Sequence, residues 1–301
     1  MTFASLRDSA CGESGPTEWI PPGTHPKQES VDDACWFLAA VMLSVGGWLL
    51  GLRAGARGDA TTHCCAAAGL LLLLAWTWVL KNPSAGVRVL PVRLLARAEG
   101  VGSLPMFALV LGVCWQRARC LRQKAVVGAA VAAGLASLLN GGGWMLQRTP
   151  EAAFAQAPMP AGSAGLVFQS QDFSCVPAAC STLLHRWGVR ASEAEMARLT
   201  RTRAGTGSTT LRALEGLATR LAATDLRPVL LEVGVEELSR LPLPLITPLR
   251  HQPGQLHMVT VERALGDGFV VLDPVDGAHW LSARALAEDF TGRVIVLEPR
   301  R

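Results

Sequence analysis

The chain has 301 residues, 50% hydrophobic and 17% charged, with Lys+Arg 28 against Asp+Glu 24. Soluble globular chains run near 25% charged, and the shortage here is uneven: residues 151–301 carry 15 Arg and 16 Asp/Glu, an ordinary soluble balance, while the long apolar runs precede them. This excludes a single soluble globule, a disordered chain, a disulfide-stapled mini-protein and a basic nucleic-acid binder, and leaves a membrane region joined to a water-soluble domain.

Residues 1–33 form a polar, Pro-rich tail with no apolar stretch near Met1. The first apolar run is therefore expected to be a retained anchor rather than a cleaved signal. Within 34–147 four stretches lack charge: Ala34–Leu52, Cys64–Leu80, Gly100–Gln116 and Ala125–Gln147. Each approaches the length of a bilayer-crossing helix. Trp36 and Trp48 sit near the ends of the first, where amphipathic rings favour the interface. The fourth is rich in Ala and Gly, which permit close helix packing. Gly100–Gln116 opens on polar residues and contains Pro105, so it reads either as a crossing or as a re-entrant segment.

With four crossings, Lys27, Lys81, Arg88, Arg93, Arg97 and Arg148 lie on one side, and Arg53, Arg57, Arg117, Arg119, Arg122 and Lys124 on the other. The two sets are equal, so the positive-inside rule does not orient the chain. If Gly100–Gln116 does not cross, the bias becomes strong and places the second half outside the cytoplasm. A multi-pass protein of a bacterial inner membrane is expected, its soluble part on a side these counts leave open. Cys35, Cys64, Cys65 and Cys114 fall in apolar runs and behave as small hydrophobes. His63-Cys64-Cys65 does not form a metal site, because adjacent helical side chains point about 100° apart. No CxxC spacing occurs, and no metal or cofactor is expected.

Residues 148–164 (RTPEAAFAQAPMPAGSA) are an Ala/Pro/Gly linker, and a second domain spans 165–301. In chain order it offers a short strand at Leu166–Gln169 and a helix over Val176–Trp187, with Pro177 in its first turn and Gly188 just past its end. A helix over Ser192–Thr200 follows, with Ser192 and Glu195 at capping-box spacing, then one over Thr209–Ala222 with Leu211, Leu214, Leu217 and Leu221 at helical period. Strands are expected at Val229–Val233, Leu245–Leu249, His257–Val261, Phe269–Leu272 and Val294–Leu297. Helices first and strands afterwards imply an α+β domain with an antiparallel sheet.

Cys175 stands at the start of the first of these helices, where unpaired N–H groups and the helix dipole favour a thiolate. That suits a nucleophile. Cys180 is five residues on, a rise of about 7.5 Å, too far for a bridge within the helix. It shares a face with Leu183, Leu184 and Trp187 and reads as core. A nucleophilic thiol needs a base, and His185, His251, His257 and His279 are the candidates. Folding a hairpin about Leu265 or Gly266 puts His257 opposite Asp273, give or take one residue, with facing side chains about 5 Å apart. The same pattern also fits a sheet-edge His followed by an Asp-Pro turn.

Gln169-x5-Cys175 with Pro177-Ala178-Ala179, Ser192-Glu193-Ala194-Glu195, Thr206-Gly207-Ser208-Thr209-Thr210-Leu211, Leu256-His257-Met258-Val259-Thr260-Val261 and Val271-Leu272-Asp273-Pro274 recur in one order. Over about residues 166–298 the chain resembles the bacteriocin-processing (double-glycine leader) cysteine peptidase family. The resemblance implies a papain-like fold, with Cys175 as nucleophile, His257 as general base and acid, Asp273 orienting the imidazole, and Gln169 with the Cys175 backbone N–H as oxyanion hole. It also implies a peptide or protein substrate. Two features depart from the family. The residue after the nucleophile is Val176 where Gly is usual, and no G-x-x-x-x-G-K-[ST] loop is present, since Gly205–Thr210 lacks the Lys. ATP is therefore not expected as a ligand, and export would fall to a separate system. The leading expectation is a membrane-anchored peptidase with the bilayer as its other partner and leader-peptide processing as one role. The alternatives are a catalytically weak peptide- or protein-binding domain, motivated by Val176, and an acyl transferase using the same three residues.

Overall fold

The computed structural model describes residues 26–99, 101–146, 153–154, 165–252 and 254–300, and side chains within these except at 26–33, 137–146 and 252. Most of the linker and the polar tail before residue 26 thus lie outside the described residues.

Helix α1 (Pro26–Gly55) and helix α2 (Asp59–Lys81) are long and apolar enough to cross a membrane. Two short helices, α3 (Pro83–Val89) and α4 (Val92–Ala98), fill what reads in the sequence as a loop. Helix α5 (Leu104–Arg117) and helix α6 (Leu121–Leu146) complete the first half. The side chains that end the expected segment Ala125–Gln147 lie outside the described residues.

Gly47, Gly51 and Gly55 recur every fourth residue and form one stripe on α1. A Cβ at Gly51 would collide with the Leu109 carbonyl oxygen, and one at Gly55 would lie 2.7 Å from the Gln116 Cβ. This is backbone-to-backbone packing through small residues. Because Gly47 meets Pro105, Gly51 meets Leu109 and Gly55 meets Gln116, α1 and α5 run parallel. At the far end Arg117 ties α5 to the turn after α1, by hydrogen bonds to the Arg57 carbonyl (3.2 Å) and Thr62 Oγ1 (2.8 Å) and an ion pair with Asp59 (2.7 Å). Helix α6 returns antiparallel, with Gly128 beside Trp115 and Gly134 beside Phe107. The end of α6, the start of α1 and the α3–α4 pair therefore share one end of the bundle.

The second half begins with α7 (Cys175–Arg186), α8 (Glu193–Leu199) and α9 (Thr210–Arg220). Gly188, at φ +75°, stops α7 in the left-handed conformation that glycine adopts without strain. Ser192 Oγ accepts from the Glu195 N–H, as the sequence spacing predicts. A six-stranded antiparallel sheet follows, in the order β1-β6-β2-β3-β4-β5. Its strands are β1 (Leu226–Glu232), β2 (Leu245–Gln252), β3 (Gln255–Leu265), β4 (Gly268–Asp273), β5 (Gly277–Ser282) and β6 (Arg293–Pro299). Alternation splits the core. Ile246, Met258, Ile295 and Leu297 face α7–α9, while Leu245, Val259, Val261, Val294 and Val296 face the 3-10 turn Val235–Arg240 and helix α10 (Ala283–Asp289).

Two expectations are corrected here, and two elements are added. Leu166–Gln169 is extended but unpaired, because its N–H groups go to the Thr182 hydroxyl (2.9 Å, from Val167) and the Pro274 carbonyl (2.9 Å, from Gln169). Strand β5 and helix α10 occupy a stretch the sequence leaves without elements. The β3–β4 hairpin turns at Gly266-Asp267 with a bulge between Val261 and Arg263, so Asp273 falls across from residue 259. His257 thus reaches Asp273 along the diagonal, two residues from the expected register.

The two halves touch. Leu95 and Ala96 of α4 are buried against Leu211 of α9. Thr209 Oγ1 donates to Glu99 Oε2 (2.7 Å), Arg97 stands 3.7 Å from Glu215, and Arg293 donates to the Lys81 carbonyl (2.9 Å).

Candidate active site

Cys175 is the first residue of α7, partly buried, its N–H among those the helix leaves unpaired at its N-terminus. Met258 and Thr260 of β3 hold that helix on the sheet, Thr260 Oγ1 donating to the Ala179 carbonyl (3.3 Å). The same strand carries His257. Asp273 ends β4, where Pro274 stops the strand and the chain turns back.

His257 Nε2 donates to Asp273, 2.9 Å from Oδ1 and 3.0 Å from Oδ2. A carboxylate can only accept, so Nε2 carries a proton and Nδ1 is the nitrogen left for another partner. The Cys175 side chain is in hydrogen-bonding reach of the imidazole. Burial disfavours the charged ring, but hydrogen bonds and charge from Asp273 and Cys175 outweigh it and push the His257 pKa up to about 10. Burial also works against the Asp273 carboxylate. The bond from His257, the N–H groups of Val275 (2.7 Å) and Asp276 (3.3 Å) and the imidazole charge hold it below the usual carboxylate value.

Gln169 is tied by its backbone N–H to Pro274, the residue after Asp273, which brings the third expected element to the same corner. Its side-chain oxygen is buried with no protein partner among the described residues. Val176 is 4% exposed and belongs to the core between α7 and the sheet, so its side chain turns away from the solvent side of the helix start. Cys180 is in the same core, its thiol pKa raised first by burial. Of the remaining histidines, His185 receives a bond from the Ala191 N–H (3.4 Å) and His279 lies by the Gly277 carbonyl (3.3 Å), both apart from Cys175. His251 is different. Its ring centroid lies 5.8 Å from that of His257, a neighbour visible only once β2 and β3 are paired. Among the described residues no group of three or more His, Cys, Asp or Glu is placed to hold a metal ion.

Thiol, imidazole and carboxylate in series can generate a nucleophile, move its proton and hold the imidazolium. Residues 163–301 match the Peptidase C39 family, and a domain of that family, with its papain-like fold, occupies this segment. The domain is similar to the peptidase domain of Streptococcus ComA, a bi-functional ABC transporter involved in a quorum sensing pathway, at 20% identity over 46% of this chain and 99% of that one, with a TM-score of 0.41. It is also similar to a double glycine motif protease from an AMS/PCAT transporter solved with the leader peptide (17% identity, 44% and 90% covered, TM-score 0.38). A third likeness is the N-terminal peptidase C39-like domain of a toxin secretion ATP-binding protein from Vibrio parahaemolyticus (14% identity, 43% and 99% covered, TM-score 0.33). The comparison with curated proteins gives no match.

Proposed function

We propose that this Peptidase C39 family domain hydrolyses peptide bonds through Cys175, His257 and Asp273, while the first half of the chain anchors it to a membrane. The observation that carries the reading is the His257–Asp273 pair at 2.9 Å with the Cys175 thiol in reach of the same ring. Cys175 gives its proton to His257 and attacks the scissile carbonyl carbon. The oxyanion that forms is held by the Gln169 amide and the Cys175 backbone N–H. Imidazolium His257 then protonates the leaving amine, giving a thioester. Water, losing a proton to His257, attacks the thioester and releases the acid and the thiol. Asp273 remains ionised and fixes the ring.

The substrate class this reading assigns is a leader peptide, the ligand of the AMS/PCAT protease. Four crossings by α1, α2, α5 and α6 of a bacterial inner membrane put the peptidase domain at the bundle end where α1 begins. The test is Cys175→Ala in the full chain. Loss of peptide cleavage, and of labelling at that position by a thiol-directed probe, supports the reading; undiminished cleavage overturns it.

A further inference from the structure

The loop 169–174, between the oxyanion-hole candidate and the nucleophile, is held from several directions. Gln169 N–H bonds the Pro274 carbonyl, and Ser170 N–H donates to Glu193 Oε1 of α8 (3.0 Å). Gln171 and Ser174 close a tight turn, Ser174 N–H bonding the Gln171 carbonyl (3.0 Å) and the Ser174 hydroxyl meeting the backbone of Gln171 (2.9 and 3.1 Å). Against Phe173, a Cβ on Gly207 would stand 2.8 Å from the carbonyl oxygen, so the loop 203–207 abuts it.

The remaining support comes from outside residues 163–301. Phe154, in the linker, is 4% exposed and meets Phe173 edge-on, ring centroids 6.3 Å apart and planes at 80°. Beside it, Gln171 Nε2 donates to the Ala153 carbonyl at 2.8 Å. An aromatic edge contact and a partly buried hydrogen bond therefore converge on two residues of the loop. Neither partner belongs to the family domain, and six residues (147–152) separate them from the end of α6.

We propose that Ala153 and Phe154 are positioning residues: a brace from the linker that holds the loop 169–174 in its working geometry and couples the active site to helix α6. The idea rests on the peptidase reading for its consequence, though the brace itself is a contact that can be tested alone. Oxyanion donors and a nucleophile act only when held within a fraction of an ångström, and a shift of about 1 Å can cost about 100-fold in rate. Phe154 touches no reacting atom and acts through Phe173.

The experiment uses the full chain in detergent with iodoacetamide as the thiol probe, alkylation being resolved by peptide mapping. Phe154→Ala is expected to slow Cys175 alkylation about tenfold or more, to leave Cys180 unlabelled, and to raise hydrogen exchange at the amides of 170–174. Phe154→Leu, which keeps an apolar wedge, should restore most of both signals. Should Phe154→Ala fail to fold, Gln171→Met keeps the length, removes the donor to Ala153, and is expected to move alkylation and exchange in the same direction. Unchanged alkylation and unchanged exchange in these variants overturn the brace. Wild-type protein with no preferential labelling of Cys175 counts against the peptidase reading instead, and the exchange data still decide the brace.

Discussion

At the scale of single residues, the electrostatics of His257 and Asp273 make opposite demands on pH. The His257 pKa is raised, so its contribution to stability is fully present below pH 6.5 and is lost as pH rises through about 10. The Asp273 pKa is lowered, so its contribution is present above the ordinary value of 3.8 and is lost as pH falls through the lowered one. Asp273→Asn removes the carboxylate that sustains the imidazolium. Its peptidase rate should fall about 100-fold or more. Its stability deficit against wild type should shrink as pH is taken above 10, measured by chemical denaturation at pH 7 and above pH 10. An equal deficit at both pH values would contradict the linkage. Cys175, His257 and Asp273 are all legible in the sequence, because a helix start and a hairpin are local signals. The register is not, since the turn falls at Gly266-Asp267, later than a fold about Leu265, and the bulge between Val261 and Arg263, which leaves no residue pattern, takes back one residue, so that the pair ends two residues off. Phe154 has no local signal, as it depends on a segment distant in sequence meeting it in space, and His251, though named among the candidate bases, comes beside His257 only through the β2–β3 pairing.

At the scale of elements, the capping residue Ser192 marks α8 in advance and its hydroxyl accepts the expected N–H, while α9 is marked by its apolar period and its cap, Thr209 accepting from the Arg212 N–H, is added by the structure. The seven-residue helices α3 and α4 escape notice, although Pro83 begins one and Pro91 precedes the other. Too short to hold by propensity, they are set by docking, α4 through Leu95 and Ala96 on Leu211 of α9 and α3 through Val87 on the core of the second half. Strand β5 is missed because it is a sheet edge with few buried residues. The stripe of Gly47, Gly51 and Gly55 was available in the sequence and predicts a seam. Gly51→Leu places a side chain against the Leu109 carbonyl oxygen. It should destabilise the first half by about 1–3 kcal/mol or more, read as a lower thermal midpoint in detergent, while Gly46→Leu, with open space at its Cβ, should leave the midpoint unchanged. Equal midpoints for the two variants would contradict parallel α1–α5 packing. In the second half, Leu183→Ala in the core against the sheet should cost about 2–5 kcal/mol.

At the scale of the molecule, equal numbers of basic residues on the two sides left orientation open in the sequence, with α5 the undecided segment. The parallel course of α1 and α5, and Arg117 at the turn after α1, place the start of α1, α3–α4 and the peptidase domain together. Cysteine-specific labels introduced at Arg88 and Asp225 should react from the same face of sealed vesicles, and one introduced at Arg57 from the opposite face. Arg57 and Asp225 labelled from one face would contradict four crossings. The proposed chemistry depends on one thiol at a helix start. The most direct measurement is cleavage of a leader-bearing peptide by the full chain and by Cys175→Ala, with site-mapped alkylation alongside. Cleavage and preferential Cys175 labelling are expected in the wild type, and neither in the variant; cleavage that survives the loss of Cys175 would overturn the peptidase reading.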